Sequence, residues 1–203
     1  MIGVVDYGVG NFGSILHMLR RARIEANIVS NVSAIQECDR LIFPGMGAFD
    51  TGMIKIRESG FIPILEEKIF DEKCPVLGIC LGMQMFANSS EEGDESGLGW
   101  IDADNIRFSF QPFKYYKIPH IGWNTLKINF EHPLINGISE DDLFYFAHSF
   151  HLDQALKEIV LAETDYVYDF PAVVCDGNVF GVQFHPERSH DCGIVILENF
   201  SEI

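Results

Sequence analysis

Cations are scarce in this chain of 203 residues, which has 14 Lys and Arg against 30 Asp and Glu and a formal net charge of −16. Nucleic acids and anionic membrane surfaces are bound by clustered Lys and Arg side chains, which neutralise phosphate charge. The composition therefore argues against either of them as the main partner. Acidity alone names no ligand, because an acidic surface also serves solubility.

The sequence also lacks long apolar runs, a basic N-terminal segment and a regular set of cysteines. No apolar run approaches the ~18 residues that a membrane-spanning helix needs, and no basic segment precedes an apolar stretch as in a signal peptide. The five cysteines are scattered and odd in number, which does not make a disulfide framework. We therefore expect a cytoplasmic protein in a reducing compartment, without a membrane partner.

The first half of the chain alternates short apolar runs with helical patterns. Four runs rich in Val, Ile and Phe are predicted as buried strands: residues 2–5, 27–30, 40–43 and 76–79. Apolar residues at helical spacing predict a helix around residues 15–22 and another over residues 62–70. Strand–helix alternation favours a parallel sheet covered on both faces. The predicted fold class is α/β, with an open, mostly parallel, twisted sheet and helices on both faces.

The second half is richer in strands. Five are predicted there with little helix between them: residues 125–130, 143–147, 159–163, 172–175 and 179–184. Asp176 and Gly177 lie between the last two and form a strong hairpin signal, which predicts antiparallel additions to the sheet. Apolar residues at helical spacing end the chain. Since 47% of the residues are hydrophobic and no low-complexity linker interrupts them, a single domain over residues 1–203 is expected.

The stretch DYGVGNFGSI contains the pattern G-x-G-x-x-G, beginning at Gly8, directly after the first predicted strand. A dinucleotide-binding fingerprint lies at this place, so an oxidoreductase is one hypothesis. The fingerprint also requires an acidic residue at the end of the second strand, about 20 residues on, to bind the ribose. That strand ends instead at Ser30 and Asn31. We therefore favour a tight strand-to-helix turn, with Asn11 as the helix N-cap, and expect no cofactor.

A more specific pattern, G-x-C-x-G, places Cys80 between Gly78 and Gly82, where a predicted strand runs into a helical pattern. This is the cysteine counterpart of the nucleophile elbow, in which glycines relieve crowding at a sharp turn. The turn lifts the side chain to the C-terminal edge of the sheet, where open α/β folds build their sites. The following helix N-terminus favours thiolate over thiol. Cys80 is therefore the candidate nucleophile, and the other cysteines are predicted to be structural.

A nucleophilic cysteine needs a base, and the segment GVQFHPERS contains a candidate. His185 ends a predicted strand and Glu187 follows two residues later, so both side chains point the same way. The carboxylate can then orient the ring and stabilise its charged form, as the third group of a triad does. The backbone amides of Gly47, in the turn FPGMG, and of Leu81 are the candidate oxyanion hole. Taken singly, the histidine and the turn each have a plain structural explanation.

Together these motifs resemble the triad-type, or class I, glutamine amidotransferases. Within that group, the ordered set PGMGAF, GICLGMQ, SSEEG with GLGW, PHIGWN, HSF and GVQFHPERS resembles the glutaminase subunits of imidazole glycerol phosphate synthase. The resemblance covers nearly the whole chain, and PHIGWN and the SSEEG and GLGW pair are its most specific parts. It implies a flavodoxin-like class I glutamine amidotransferase fold and hydrolysis of L-glutamine through a thioester on Cys80.

The resemblance also implies roles that spacing alone does not assign. The residues implied to bind glutamine are Gln84, His148, Ser149 and Phe150. The residues implied at a partner interface are Asn11, Trp123, Tyr145 and Arg188. The implied partner is a (β/α)8-barrel cyclase, which forms a heterodimer with the glutaminase. It uses the ammonia to make imidazole glycerol phosphate and an aminoimidazole carboxamide ribonucleotide in histidine biosynthesis. No metal is implied.

Several positions depart from the common family pattern and keep alternatives open, among them Arg188, Phe150 and the segment SHDCG after Arg188. Arg188 follows HPE where Lys is usual, and Phe150 stands where Tyr is usual. Some relatives with the same triad supply ammonia for amidino-sugar synthesis in surface-polysaccharide pathways, and the triad cannot distinguish the two functions. A non-catalytic regulatory subunit is a further alternative. Loss of Cys80, His185 or Glu187 would be its mark, and all three are present.

Overall fold

Parallel pairing dominates the centre of this computed structural model, which describes residues 1–110, 116–153 and 157–203. The strands found in those ranges are, in chain order, β1 (Ile2–Val5), β2 (Ala26–Val29), β3 (Arg40–Gly45), β4 (Val76–Cys80), β5 (Ser89–Ser90), β6 (Asp104–Arg107), β7 (His120–Asn124), β8 (Lys127–Ile128), β9 (Phe144–His148), β10 (Phe150–Leu152), β11 (Val160–Tyr166), β12 (Tyr168–Asp176) and β13 (Val179–Val182).

The main sheet has eight strands within the described ranges, in the order β2-β1-β3-β4-β13-β12-β11-β8. β1 pairs in parallel with β2 and β3, and β4 pairs in parallel with β3 and β13. β12 then pairs antiparallel with β13, β11 with β12, and β8 with β11. The predicted mostly parallel α/β sheet with antiparallel additions in the second half is confirmed.

Helices lie on both faces of this sheet. They are α1 (Phe12–Arg21), α2 (Val32–Gln36), α3 (Phe49–Ser59), α4 (Ile62–Glu66), α5 (Leu81–Met85) and α6 (His190–Glu202). Successive strand residues point to opposite faces. Leu41 and Phe43 of β3 therefore join the core beneath α3, α4 and α5, while Ile42 between them joins the core beneath α1 and α6. Within the described ranges, no helix is both long and apolar enough to span a membrane.

The glycine-rich turn before α1 is a strand-to-helix turn capped by Asn11. The Asn11 side chain accepts a hydrogen bond from the Ser14 N–H, as the predicted N-cap requires, and the basic Arg20 and Arg21 lie in the last turn of α1. In a dinucleotide fingerprint the third glycine allows close packing of helix on strand. A Cβ added at Gly13 would meet no atom within 4 Å. The third glycine of this turn therefore serves no such close packing.

Several elements differ from the sequence prediction. The helix predicted over residues 62–70 is α4 continued by a π-helical segment, Glu67–Asp71. The strand predicted over residues 125–130 shrinks to β8, because only Lys127 and Ile128 pair with β11. The hairpin between β12 and β13 turns at Gly177 and Asn178 rather than at Asp176, which still pairs with Val179. Gly177 has a φ of 61°, the conformation that glycine adopts easily.

Two small sheets lie beside the main one and were not predicted. β10, β6 and β5 form one of them, and β7 pairs antiparallel with β9 in the other. Helices α2 and α3 were also missed. In α3 the buried Phe49, Met53 and Ile56 do recur at helical spacing, so its apolar pattern was present in the sequence. Among the strands of these two sheets, β9 was predicted, over residues 143–147, and its burial alternates along the chain. The other strands lack such a pattern, since they are short and depend on partners distant in the chain.

Backbones approach closely where β3 passes the start of α5. A Cβ added at Gly82 would lie 1.9 Å from the carbonyl oxygen of Phe43, and one added at Gly45 would lie 2.5 Å from the backbone nitrogen of Gly82. The obstructing atoms belong to the backbone and cannot rotate away. The second glycine of the G-x-C-x-G pattern is therefore needed to seat α5 against β3.

We expect Gly82→Ala to lower the free energy of unfolding by about 3 kcal/mol or more, because overpacking against a rigid backbone forces α5 and β3 apart. Gly13→Ala is the matched control and is expected to be neutral or to stabilise by about 0.5 kcal/mol. Urea unfolding followed by circular dichroism measures both variants. Equal stability of the two variants would contradict the close approach.

Candidate active site

Cys80 is held in an unusual backbone conformation at the end of β4. It has φ 52° and ψ −109° directly before the first residue of α5, and L-residues rarely adopt a positive φ. A Cβ added at Gly78 would lie 2.6 Å from the Phe86 ring and 2.7 Å from the Met83 nitrogen, so the turn is tightly packed from behind. Cys80 is 6% exposed and lines a cavity at this edge of the sheet.

His185 and Glu187 lie just beyond the end of β13, the strand that pairs with β4. His185 follows β13 and precedes a short 3-10 helix, Pro186–Arg188. Its Nδ1 is 2.9 Å from Oε1 of Glu187, and the two side chains are 11% and 3% exposed. The His185 N–H also donates to the Tyr145 carbonyl at 2.8 Å. Glu187 therefore fixes the orientation of the His185 ring, and the Tyr145 carbonyl fixes its backbone.

The pKa of His185 depends on the neighbouring Cys80 and Glu187. Burial alone lowers the pKa of the His185 ring, because the charged imidazolium loses solvation. The negative charge of Cys80, hydrogen bonds to Cys80 and Glu187, and the Glu187 charge act in the opposite direction and raise this pKa to about 10. The arrangement therefore favours a protonated His185 at neutral pH, held beside the sulfur of Cys80.

One cavity of about 340 Å³ brings most of the predicted site residues together. Its walls include the following predicted residues: Asn11, Gly47, Cys80, Leu81, Gln84, His148, Ser149, Phe150, His185, Glu187 and Arg188. Gly47 has a φ of 100° in the turn between β3 and α3. Gly47 and Leu81, the residue directly after Cys80, both line this cavity. The assignment of these amides to an oxyanion hole remains a prediction.

The predicted glutamine-binding residues are tied to one another by hydrogen bonds. The Gln84 Nε2 donates to the Phe150 carbonyl at 2.8 Å and to the Gln183 Oε1 at 3.1 Å. The His148 Nδ1 lies 2.8 Å from the same Phe150 carbonyl. The side chains of Gln84 and His148 therefore hold the segment that forms this wall of the cavity.

Gln183 is a site residue that sequence reasoning missed. It is fully buried, its Oε1 accepts from Gln84, and its Nε2 is 3.6 Å from the Cys80 sulfur. Gln183 thus links the cavity wall to Cys80 and offers its sulfur a hydrogen-bond donor. A glutamine between apolar residues of a buried strand, two positions before His185, was the available signal, since buried polar groups need partners.

Glu92 is a second residue that was missed. It lies in the acidic loop of residues 91–95, lines the cavity, and its Oε2 accepts from the Phe49 N–H at 2.8 Å. That N–H is an orphan donor at the start of α3. Glu92 therefore caps the helix that directly follows the Gly47 turn.

Three of the four predicted interface residues, Trp123, Tyr145 and Arg188, lie together, and Arg188 also lines the cavity. Trp123 is 44% exposed, stacks on His190 at 4.9 Å and meets Tyr145 edge-on at 5.7 Å. The Arg188 guanidinium lies 5.5 Å from the Tyr145 ring centre, a cation–π distance. We refer to Trp123, Tyr145, Arg188 and His190 as the aromatic–arginine surface. Asn11 and Arg188 also line the cavity, so this surface is continuous with the site.

The other cysteines lack the environment of Cys80. Burial raises the pKa of Cys38, Cys74, Cys175 and Cys192, to about 11 for Cys74 and Cys175. They therefore stay protonated at neutral pH and unreactive. Within the described ranges, no group of three His, Cys, Asp or Glu side chains is arranged to hold a metal ion.

Comparison with known proteins gives matches along nearly the whole chain. A sequence model of the class-I glutamine amidotransferases matches residues 3–202. A protein of Pseudomonas aeruginosa named imidazole glycerol phosphate synthase subunit HisH 2 is 44% identical, and the match covers 100% of both chains. A protein of Methanococcus maripaludis with the same name is 43% identical over 98% of both chains.

Solved structures share the fold at lower identity. A crystal structure of a glutamine amidotransferase superposes with a TM-score of 0.73 at 21% identity and covers 100% of this chain and 99% of its own. The structure of PurLQS from Thermotoga maritima gives a TM-score of 0.72 at 19% identity, covering 98% of this chain and 96% of its own. These likenesses concern the fold alone.

We expect Cys80→Ala to lower the pKa of His185, because the variant loses both the charge and the hydrogen bond of the sulfur. In the wild type the ring is expected to stay protonated until the pH rises towards about 10. Since this pKa is raised on folding, the protonated His185 ring stabilises the protein fully below about pH 6.5, and this effect is lost as the pH rises through about 10. NMR titration of the ring measures the change, and Cys192→Ala is the control. An unchanged His185 pKa in Cys80→Ala would refute the pairing.

We expect Gln183→Leu to slow alkylation of Cys80 by iodoacetamide at neutral pH about fivefold, because the thiolate loses a buried hydrogen-bond donor. Mass spectrometry of the Cys80 peptide gives the rate. Thr164→Val is the control, since it removes a buried hydroxyl whose bond to the Thr125 carbonyl lies away from the cavity. Equal rates in the two variants would show that Gln183 does not act on the sulfur.

Proposed function

The chain belongs to the class-I glutamine amidotransferase family, and from this premise we propose that it is the glutaminase subunit of an imidazole glycerol phosphate synthase. The observation that carries the glutaminase activity is the meeting of Cys80, His185 and Glu187 in one cavity. The pathway rests on full-length relatives, which carry that synthase's name at 44% and 43% identity.

The first half-reaction forms a thioester. The Cys80 thiolate attacks the side-chain carboxamide carbon of L-glutamine, and the carbonyl oxygen takes up the negative charge. Backbone amides at Gly47 and Leu81 are the donors proposed to stabilise that oxygen. The protonated His185 gives its proton to the departing nitrogen. Ammonia leaves, and the glutamyl group stays on the Cys80 sulfur.

The second half-reaction cleaves the thioester. His185, now neutral, takes a proton from water, and the hydroxide oxygen attacks the thioester carbon. Glutamate leaves as Cys80 returns to the thiolate and His185 keeps the proton. Glu187 holds Nδ1 of the ring through both steps, so that Nε2 remains the atom that exchanges protons with the reacting groups.

A second subunit is the proposed receiver of the ammonia. The relatives are named as subunits of a synthase, and the cavity opens beside the aromatic–arginine surface. Exposed Trp, Tyr and Arg side chains are enriched where proteins meet. We assign this surface to contact with a (β/α)8-barrel cyclase, which uses the ammonia to form imidazole glycerol phosphate and an aminoimidazole carboxamide ribonucleotide. The glutaminase binds no cofactor in this scheme.

The decisive measurement is glutamate release from glutamine in three samples. They are the chain alone, the chain with its own histidine-pathway cyclase and the ribonucleotide substrate, and that same mixture with Cys80→Ala. We expect the cyclase mixture to release glutamate fastest, and Cys80→Ala to reduce the rate at least ~1,000-fold, because the thioester cannot form.

The experiment tests the role of Cys80 and the identity of the partner independently. Glutamate release that survives Cys80→Ala would contradict the mechanism. If the cyclase works with free ammonia but does not stimulate the chain, the proposed partner is wrong. Synthesis of an amidino sugar would then become the favoured use of the ammonia, with Cys80 retained as nucleophile.

A further inference from the structure

A buried pair of histidines lies behind the glutamine-binding wall. The His120 Nδ1 is 3.1 Å from the His148 Nε2, and the His148 Nδ1 is 2.8 Å from the Phe150 carbonyl oxygen. His120 is 3% exposed and does not line the cavity, whereas His148 and Phe150 do. A continuous row of hydrogen-bonding groups therefore leads from outside the site to its wall.

The direction of these hydrogen bonds follows from one fixed acceptor. The Phe150 carbonyl can only accept, so the proton between it and His148 is on Nδ1 of His148. A neutral imidazole with a proton on Nδ1 has an acceptor at Nε2. The atom facing that acceptor is the His120 Nδ1, which must therefore carry a proton of its own. Both rings have the proton on Nδ1.

The surroundings keep both rings neutral. Burial lowers the pKa of His120 to about 4. Burial likewise lowers the pKa of His148 well below its ordinary value, and the neighbouring His120 adds to the effect. The His120 ring is also stacked between Phe146, at 4.9 Å, and Tyr166, at 4.0 Å. The ring cannot rotate to another partner without losing these contacts.

Phe150 is fixed from two sides. Its carbonyl accepts from the Gln84 Nε2 as well as from His148, which uses both lone pairs of the oxygen. The preceding carbonyl, that of Ser149, accepts from the Phe108 N–H at 3.1 Å. The wall formed by Ser149 and Phe150 therefore has its position set by groups behind it.

We propose that His120 is a positioning residue for glutamine: it fixes the orientation of His148, which holds the Phe150 carbonyl and with it the wall that Ser149 and Phe150 form. This inference rests on the proposed function, because it takes the ligand of the cavity to be glutamine. His120 itself touches neither the ligand nor the reacting atoms.

The proton positions can be tested in the unaltered chain. Long-range proton–nitrogen NMR of the histidine rings is expected to show Nδ1 protonated and Nε2 unprotonated in both His120 and His148. A proton on Nε2 of either ring would overturn the proposal, whatever the behaviour of any variant.

Two substitutions at one position separate hydrogen bonding from packing. His120→Phe keeps the stacking but removes the donor, whereas His120→Asn keeps a donor near the Nδ1 position but loses the ring. In a Cys80→Ala background, where glutamine is not consumed, calorimetry gives the Kd. We expect His120→Phe to raise the Kd about tenfold, because a buried acceptor is left unpaired, and His120→Asn to raise it less.

Tyr168→Phe is the matched control, since it removes a hydroxyl 2.9 Å from the His151 Nε2 in the same aromatic cluster. Its Kd is expected to stay unchanged. If His120→Asn binds glutamine as weakly as His120→Phe or more weakly, packing is responsible and the proposal fails. If Cys80→Ala alone binds no glutamine, the proposed function fails with it. Normal binding by His120→Phe overturns only the positioning role.

Discussion

The positive φ of Cys80 is the backbone constraint on which the rest of the site depends. A non-glycine residue in this region costs on the order of 1–3 kcal/mol, and it persists only where the surroundings determine it. Here β4 is paired on both sides, by β3 and β13, and α5 lies so close to β3 that no side chain fits at Gly82. The parallel sheet thus holds the strained turn, and the turn presents the sulfur to the cavity.

Strand order, rather than local sequence, brings His185 to Cys80. β4 and β13 are separated by about half of the chain but are parallel neighbours, with Ile79 opposite Val182. Cys80 follows Ile79 directly and His185 comes three residues after Val182, so both emerge at the same edge. Burial then strengthens their attraction, because few water molecules screen the charges. The raised pKa of His185 is the consequence of this placement.

The parts of the structure that could be predicted are those with local signals. The elbow at Cys80, the pairing of His185 with Glu187 and the parallel strands follow from short patterns with a physical meaning. Gln183 and Glu92 could not be assigned in the same way, because their roles come from partners far along the chain: the Cys80 sulfur and the Phe49 N–H. The small sheets were missed for the same reason. The turn residue of the β12–β13 hairpin was misplaced by one position, since both Asp-Gly and Gly-Asn are favourable turn pairs.

The two faces of the antiparallel β7–β9 pair differ: one is buried in the protein and the other is more exposed. Along β9 the buried residues Phe144, Phe146 and His148 alternate with Tyr145 and Ala147, which are less buried. One register places His120 opposite His148 on the inner face and Trp123 opposite Tyr145 on the outer face. A slip of one residue would exchange the faces, and would remove the histidine pair and the aromatic contact together. The geometry of the cavity wall at Ser149 and Phe150 and that of the aromatic–arginine surface are therefore set by the same backbone pairing, so neither can change register without the other.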